Sequence, residues 1–120
     1  MEAARAILAS LGIESIDEMT VNESYTIEVA GYEDLTIEKI GSNRLSVAHY
    51  HVQRGDLMCD PEIVFHIDDG EWRAVRYTQH PRIHQHDPDG LDISEFVEQW
   101  SENLRRQGFV DAAVEVTPDG

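Results

Sequence analysis

Three carboxylates with the spacing of a cation site lie near the middle of the chain. Residues 48–65 read AHYHVQRGDLMCDPEIVF and include Asp56, Asp60 and Glu62. Carboxylate oxygens are the ligands that Mg²⁺ prefers, and nucleases use such sites to activate water. As a nuclease motif the pattern is incomplete, because two apolar residues follow Glu62 where a lysine is needed. The structural alternative is a tight loop from Gly55 to Glu62, in which Asp56 or Asp60 accepts backbone amide hydrogen bonds.

Histidines form a second candidate site. The stretch HPRIHQHD places His80, His84 and His86 in a predicted loop that also contains Asp87. Imidazoles two and four residues apart can converge on Zn²⁺ or Ni²⁺ from a loop. Neither a CxxC nor an HExxH motif accompanies them, so the alternative is a solvated loop without a metal.

Other chemistry is disfavoured by what the sequence does not contain. It has no glycine-rich phosphate loop and no serine nucleophile elbow, and we expect no cofactor. Its single cysteine, Cys59, cannot form an internal disulfide, which is typical of a reducing compartment. The first residues include an acid where a signal peptide needs bases, and the apolar run that follows is too short to span a membrane. The sequence therefore predicts a soluble, cytoplasmic protein.

Charge is the most unusual property of the composition. The chain has 24 acids against nine bases, for a formal net charge of −15, and Lys39 is its only lysine. Nucleic acid and anionic membranes would repel such a chain, so direct binding to either is disfavoured. One explanation is a salt-adapted or GC-rich host, in which acids replace lysines over the whole surface. The other is an acidic face for a basic protein partner, including one that normally grips phosphates.

The acids are unevenly distributed along the chain. From Ala6 through Glu38 there is no base, and the stretch from Glu14 to Glu38 contains eight acids. Within it, Glu28 and Glu38 are predicted to lie diagonally on the open face of a hairpin, with Glu33 and Asp34 in its turn. Like charges placed this close contribute nothing to folding. These four acids are therefore the predicted partner-binding residues.

Apolar periodicity predicts a helix at each end of the chain. Glu2 to Leu11 has one apolar face and ends at Gly12. Residues 93–107 have a second apolar stripe, which includes Trp100. Asp92 and Glu95 have the spacing of a capping box at its start, and Gly108 follows its end.

Between the helices, residues 24–79 alternate with period two and predict five strands. Asp69-Gly70 is a strong two-residue hairpin signal. In the predicted register Ile27 faces Ile37, and Ile37 faces Val47. His49 and His51 would then point inward.

The order α-βββββ-α with short turns predicts an α+β fold: a five-stranded antiparallel meander with both helices packed on one face. Residues 1–109 would form a single domain. Residues 110–120 would be a tail or a short extra strand around Val114 and Val116.

The central motif also resembles an uncharacterised domain family of small proteins in bacterial and archaeal mobile elements. The resemblance covers about residues 34–109 and is strongest in IEKIGSNRLSVAHYHVQRGDLMCDPEIVFHID. The positions that match the family pattern are Ala48, His49, Tyr50, Gln53, Gly55, Asp56, Leu57, Met58, Asp60, Pro61, Glu62 and Phe65. Arg54 departs from it, and Cys59 falls at a variable position, so a thiol nucleophile is not expected. The resemblance implies a mobile-element or phage accessory domain and supplies no activity.

Two functions from different classes remain open. The first is a non-catalytic, acidic interaction module that acts on a basic, nucleic-acid-binding host protein, as an inhibitor or a mimic of nucleic acid. The second is a small metal-dependent enzyme or metal-binding protein that uses either the carboxylates or the histidines above. An enzyme needs several of these groups in one cleft, whereas a module needs only a continuous charged face.

Overall fold

A six-stranded antiparallel sheet forms one layer of the fold. The computed structural model describes residues 1–79 and 83–113, with the backbone alone for residues 51–53, 56–60 and 83. The strands pair in chain order and are β1 (Ser24–Ile27), β2 (Leu35–Gly41), β3 (Arg44–Gln53), β4 (Asp56–Asp68), β5 (Glu71–Gln79) and β6 (Ile83–His86). The predicted α+β class and meander order are confirmed. The sixth strand is an addition, because residues 83–86 pair with β5 where the sequence suggested a loop.

Helices form the second layer. They are α1 (Glu2–Ser10), α2 (Ser94–Gln107) and the short α3 (Phe109–Ala112), and a 3₁₀ turn spans Ile16–Glu18. The fully buried Ala3 lets α1 approach α2 closely, and its amide donates to the Ser101 hydroxyl at 2.8 Å. The sequence did not predict α3, and the suggested strand around Val114 lies outside the described residues.

Two helix ends follow the sequence and one does not. α1 ends as predicted: Gly12 has φ of 83°, and the amide of Ile13 donates to the carbonyl of Leu8 at 2.8 Å. α2 ends at Gly108, with φ of 97°. The capping box predicted at Asp92 is wrong, because the N-cap position is Ile93 and no side chain caps it.

Two hairpins of the sheet close through two-residue turns with positive φ at both positions. These are Arg54-Gly55, with φ of 53° and 85°, and Asp69-Gly70, with φ of 52° and 82°. The second was predicted. The first overturns the predicted loop from Gly55 to Glu62, because the chain reverses within two residues and β4 already begins at Asp56.

The first hairpin differs from the predicted register by two residues. Ile27 pairs with Leu35 rather than with Ile37, because residues 28–34 all belong to the turn. The predicted pairing of Ile37 with Val47 is confirmed. His49 pairs with Leu35 and points inward as predicted, whereas the side chain of His51 lies outside the description.

A bulge interrupts β4 within the central motif. Tyr50 pairs with Cys59 and Ala48 with Glu62, so β4 contains one extra residue beside Pro61. Proline cannot donate to a sheet ladder and is tolerated at a bulge. The bulge therefore lies between Cys59 and Glu62, within the stretch that contains the candidate carboxylates.

The hydrophobic core lies between the inner face of the sheet and the helices. Trp100 is buried there as predicted, and Phe109 of α3 is fully buried. Phe96, one turn before Trp100 in α2, is 39% exposed and rests edge-on against Tyr77. Among the described residues, no helix is long and apolar enough to cross a membrane.

Candidate functional site

The only lysine of the chain is buried. Lys39 points into the core side of β2 with 6% of its surface exposed. Its ammonium donates to the carbonyl oxygens of Ile16 at 3.0 Å and of Met19 at 2.8 Å. Ile16 begins the 3₁₀ turn and Met19 follows its last residue, so Lys39 fixes the segment that follows α1 against the sheet.

This burial defines an acidic surface without a base. From Ala6 to Asn43 the sequence contains one base, Lys39, and the core takes it up. The exposed surface formed by these residues therefore has acidic groups and no basic group. Sequence reasoning found the run of acids but ended it at Glu38 and assigned no position to Lys39.

Three of the four predicted partner-binding acids meet at one end of the sheet. Glu28, Glu33 and Asp34 are all exposed in the turn between β1 and β2, which we name the acidic turn (residues 28–34). Tyr32 in the same turn is 49% exposed. Large, half-exposed tyrosines are typical anchors of protein interfaces. Sequence reasoning missed Tyr32.

Glu38 does not belong to this group. It pairs with Ser24, and the Thr26–Thr36 pair separates it from the acidic turn. At about 3.3 Å per residue, positions 24 and 28 lie roughly 13 Å apart along the strand direction. The predicted diagonal contact between Glu28 and Glu38 is therefore wrong, because it depended on the predicted pairing of Ile27 with Ile37.

His49 holds the acidic turn in place. Its Nδ1 lies 3.1 Å from the carbonyl oxygen of Glu33 and 3.4 Å from that of Asp34. Because carbonyls only accept, Nδ1 is the donor. The ring packs against Trp100 and Phe109, with centroids 5.7 and 5.4 Å away. The turn is thus fixed to the C-terminal helices through His49 and through Tyr32, whose ring centroid lies 6.2 Å from that of Phe109.

A tyrosine and a glutamate meet at the other end of the first hairpin. The Tyr25 hydroxyl donates to the Glu23 carboxylate at 2.8 Å. Burial, together with this hydrogen bond and the negative charge of Glu23, raises the pKa of Tyr25 to about 12. Tyr25 therefore stays a neutral donor at physiological pH.

Glu62 is the centre of a polar network on the open face of the sheet. Its carboxylate accepts hydrogen bonds from Ser46 at 2.7 Å, Tyr50 at 3.4 Å and Arg76 at 3.2 Å. The side chain of Glu62 is 14% exposed and that of Arg76 is 44% exposed. The network joins strands β3, β4 and β5, which is a structural role.

Two of the candidate histidines lie on this same face. His84 pairs with Thr78, which pairs with Glu62, and His86 pairs with Arg76. Directly paired residues of an antiparallel sheet point to the same side. His84 and His86 are thus exposed on the edge strand β6, two strands away from Glu62. They belong to a strand and not to the predicted loop.

The metal predictions are not supported by the described side chains. Among these, no three His, Cys, Asp or Glu groups come together as a metal site. The side chains of Asp56 and Asp60, and all of His80, lie outside the description. The two proposed ligand sets therefore stay predictions.

One comparison with known proteins decides the family. A family model described as a domain of unknown function (DUF6908) matches residues 3–110. The chain belongs to this family. The DUF6908 match includes all six strands, α1 from its second residue, α2 and every candidate residue described above. No curated protein and no solved structure matches the chain. An uncharacterised domain family was expected from the central motif, whereas the mobile-element setting stays a prediction.

Proposed function

We propose that the protein is a non-catalytic, acidic interaction module of a mobile element or phage that acts in the host cytoplasm. Its partner is a basic, nucleic-acid-binding host protein. The module occupies the phosphate-binding surface of that protein, as an inhibitor or a mimic of nucleic acid.

The observation that supports this proposal most strongly is the base-free surface of residues 6–43. A salt-adapted surface would spread its acids evenly over the molecule. Here the one available base, Lys39, is bonded inside the core, and six of the eight acids between Glu14 and Glu38 are exposed. The uneven field favours approach of a positively charged surface, since complementary potentials speed encounter and select partners.

The acidic turn has the further properties of a docking point. Glu28, Glu33 and Asp34 place three like charges within one seven-residue turn, and like charges close together oppose folding. Tyr32 lies among them with half of its surface exposed. The His49 hydrogen bonds and the packing behind them fix the turn before any partner arrives, which lowers the entropy cost of binding.

The test is capture from a nuclease-treated extract of a bacterial or archaeal host, followed by elution with duplex DNA. A nucleic-acid mimic predicts that the captured protein is basic and that duplex DNA releases it at constant salt. Release requires that both ligands compete for one surface.

A matched variant controls for total charge. Replacing Glu28, Glu33 and Asp34 by Lys should abolish capture. The same replacement at Glu95, Glu98 and Glu102, which are exposed on α2, makes an equal charge change elsewhere and should leave capture in place. Capture that DNA does not release would contradict mimicry, and equal loss in both variants would contradict a defined acidic face.

A further inference from the structure

A cleft of about 900 Å³ lies between α1, the segment of residues 13–17 and the hairpin that joins β4 to β5. Clefts of roughly 300–1,000 Å³ are the usual size for small-molecule sites. None of the predicted site residues lines it. It is separate from the acidic turn, which is formed by residues 28–34 at another edge of the sheet.

The floor of the cleft is apolar. It is formed by Leu8, Ile13, Ile16 and Ile67, each at most 8% exposed, and by the half-buried ring of Trp72. The hydrogen bond from Ile13 to Leu8 fixes the corner after α1, where two of these side chains meet the cleft. Such a floor suits the apolar or aromatic body of a ligand.

The rim of the cleft is acidic. Glu14 and Asp17 come from one side, and Asp68 and Asp69 from the hairpin opposite. Arg5 is the one base among the lining residues, so four acids face one base. Within the described part of the chain, these four carboxylates accept no hydrogen bond from the protein. The electrostatic complement of this rim is a cation.

Arg5 shows how the cleft holds a positive charge. Its guanidinium donates to the carbonyl oxygen of Gly70 and lies 5.7 Å from the centre of the Trp72 ring. This is a cation–π contact combined with a backbone acceptor. Arg5 also borders a second cleft of about 480 Å³ that shares Trp72 and Gly70. Because Arg5 already contacts the Gly70 carbonyl and the Trp72 ring, the groups left for a ligand ammonium are the rim carboxylates, and Arg5 repels that ammonium.

We infer that this cleft binds a small organic cation, with an ammonium group on an apolar or aromatic body. The body lies on the apolar floor against Trp72, and the ammonium group lies among the rim carboxylates. The inference is independent of the proposed function, because it uses no residue of the acidic turn.

The first test compares three ligands with one ring system by calorimetry and by NMR shifts of the Trp72 indole and the Gly70 amide. Tryptamine has the ring and an ammonium group, indole has the ring alone, and indole-3-acetate has the ring and a negative charge. Tryptamine should bind most tightly and indole-3-acetate least. Equal affinities for all three, or no shift with millimolar tryptamine, would overturn the inference.

Variants with opposite expected effects complete the test. Asp68→Asn with Asp69→Asn should weaken tryptamine binding about fivefold, the combined effect of two solvent-exposed ion pairs. Asparagine accepts the positive φ of position 69, so the turn is kept. Arg5→Gln removes the competing cation and should tighten binding. Affinity that is unchanged in both variants contradicts the assignment.

Two further variants keep the outcome decisive. If the hairpin variant does not fold, Glu14→Gln with Asp17→Asn removes the charges on the other side of the rim and should give the same weakening. The acidic-turn variant at positions 28, 33 and 34 should bind tryptamine as the parent protein does. Loss of binding there would show that tryptamine responds to overall charge and not to this cleft.

Discussion

Lys39 and Glu62 have roles that their residue types do not suggest. A lone lysine in an acidic chain is expected at the surface, yet Lys39 is buried and bonded to two backbone carbonyls. Glu62 is one of three carboxylates with the spacing of a cation site, yet its carboxylate accepts hydrogen bonds from Ser46, Tyr50 and Arg76. For single residues, contacts with distant parts of the chain decide the role of each side chain, and these contacts cannot be read from the sequence.

Burial should protect Lys39 from amine-directed reagents. Its Nζ is engaged by the carbonyls of Ile16 and Met19 and is withdrawn from solvent. We expect acetic anhydride to leave Lys39 unmodified in the folded protein and to acetylate it in urea, as read by mass spectrometry of the peptide. Equal modification in both states would show that the lysine is at the surface, and would contradict the claim that the surface of residues 6–43 has no base.

Removing the charge of Glu62 should cost more stability than removing that of Arg76. Glu62→Gln weakens the bonds from Ser46 and Tyr50 in a mostly buried place, which costs on the order of 1–3 kcal/mol of unfolding free energy. Arg76→Gln breaks only a partly exposed ion pair, which costs about 0–1 kcal/mol. Urea denaturation measures both. Equal losses would show that the ion pair dominates the network.

The raised pKa of Tyr25 should appear as a loss of stability at high pH. The unfolded chain ionises its tyrosines near 10, whereas burial and the Glu23 hydrogen bond raise the pKa of Tyr25 to about 12. The stabilisation is thus fully present below pH 10 and is lost as the pH rises through the folded value. The tyrosinate absorbance of the parent minus that of Tyr25→Phe reports this titration. A difference curve centred near 10 would contradict the environment described.

The elements were predictable wherever a local pattern determined them. Alternation identified five strands, and the Asp69-Gly70 turn followed from backbone preferences alone. β6 was missed because His84 and His86 lie in a short edge strand close to two prolines, a context typical of loops. The register between β1 and β2 was predicted wrongly because residues 28–34 form a long turn, and no local sequence pattern indicates the length of that turn.

Two segments of the chain have the sequence pattern of a capping box, but only one of them forms a capping box in the structure. Ser15-x-x-Glu18 forms a capping box in the structure, whereas Asp92-x-x-Glu95 does not. Ser15→Ala should therefore lower the unfolding free energy by about 1 kcal/mol. Asp92→Ala is the matched control and should change it by less than about 0.5 kcal/mol. Thermal or urea unfolding measures both, and the reverse order would contradict the assignment of the caps.

Charge and its placement are properties of the whole molecule. The net charge of −15 is evident from the sequence, and the base-free run was too. Three other features could not be predicted, because each depends on contacts between distant strands and helices. They are the burial of Lys39, the position of Tyr32 among the acids and the anchoring of the turn by His49. The sequence thus predicted which acids belong to the candidate surface, but not how the fold arranges them.

The most direct test of this account is the dissociation constant of the captured protein for three forms of the chain at one salt concentration. Reversal of Glu28, Glu33 and Asp34 to Lys should weaken binding on the order of 100-fold, since several opposed charges become like charges. Reversal of Glu95, Glu98 and Glu102 should change it by less than about threefold, because screening in physiological salt acts beyond about 8 Å. Equal weakening by both variants would show that the acidity acts through net charge alone, and would contradict a docking face at the acidic turn.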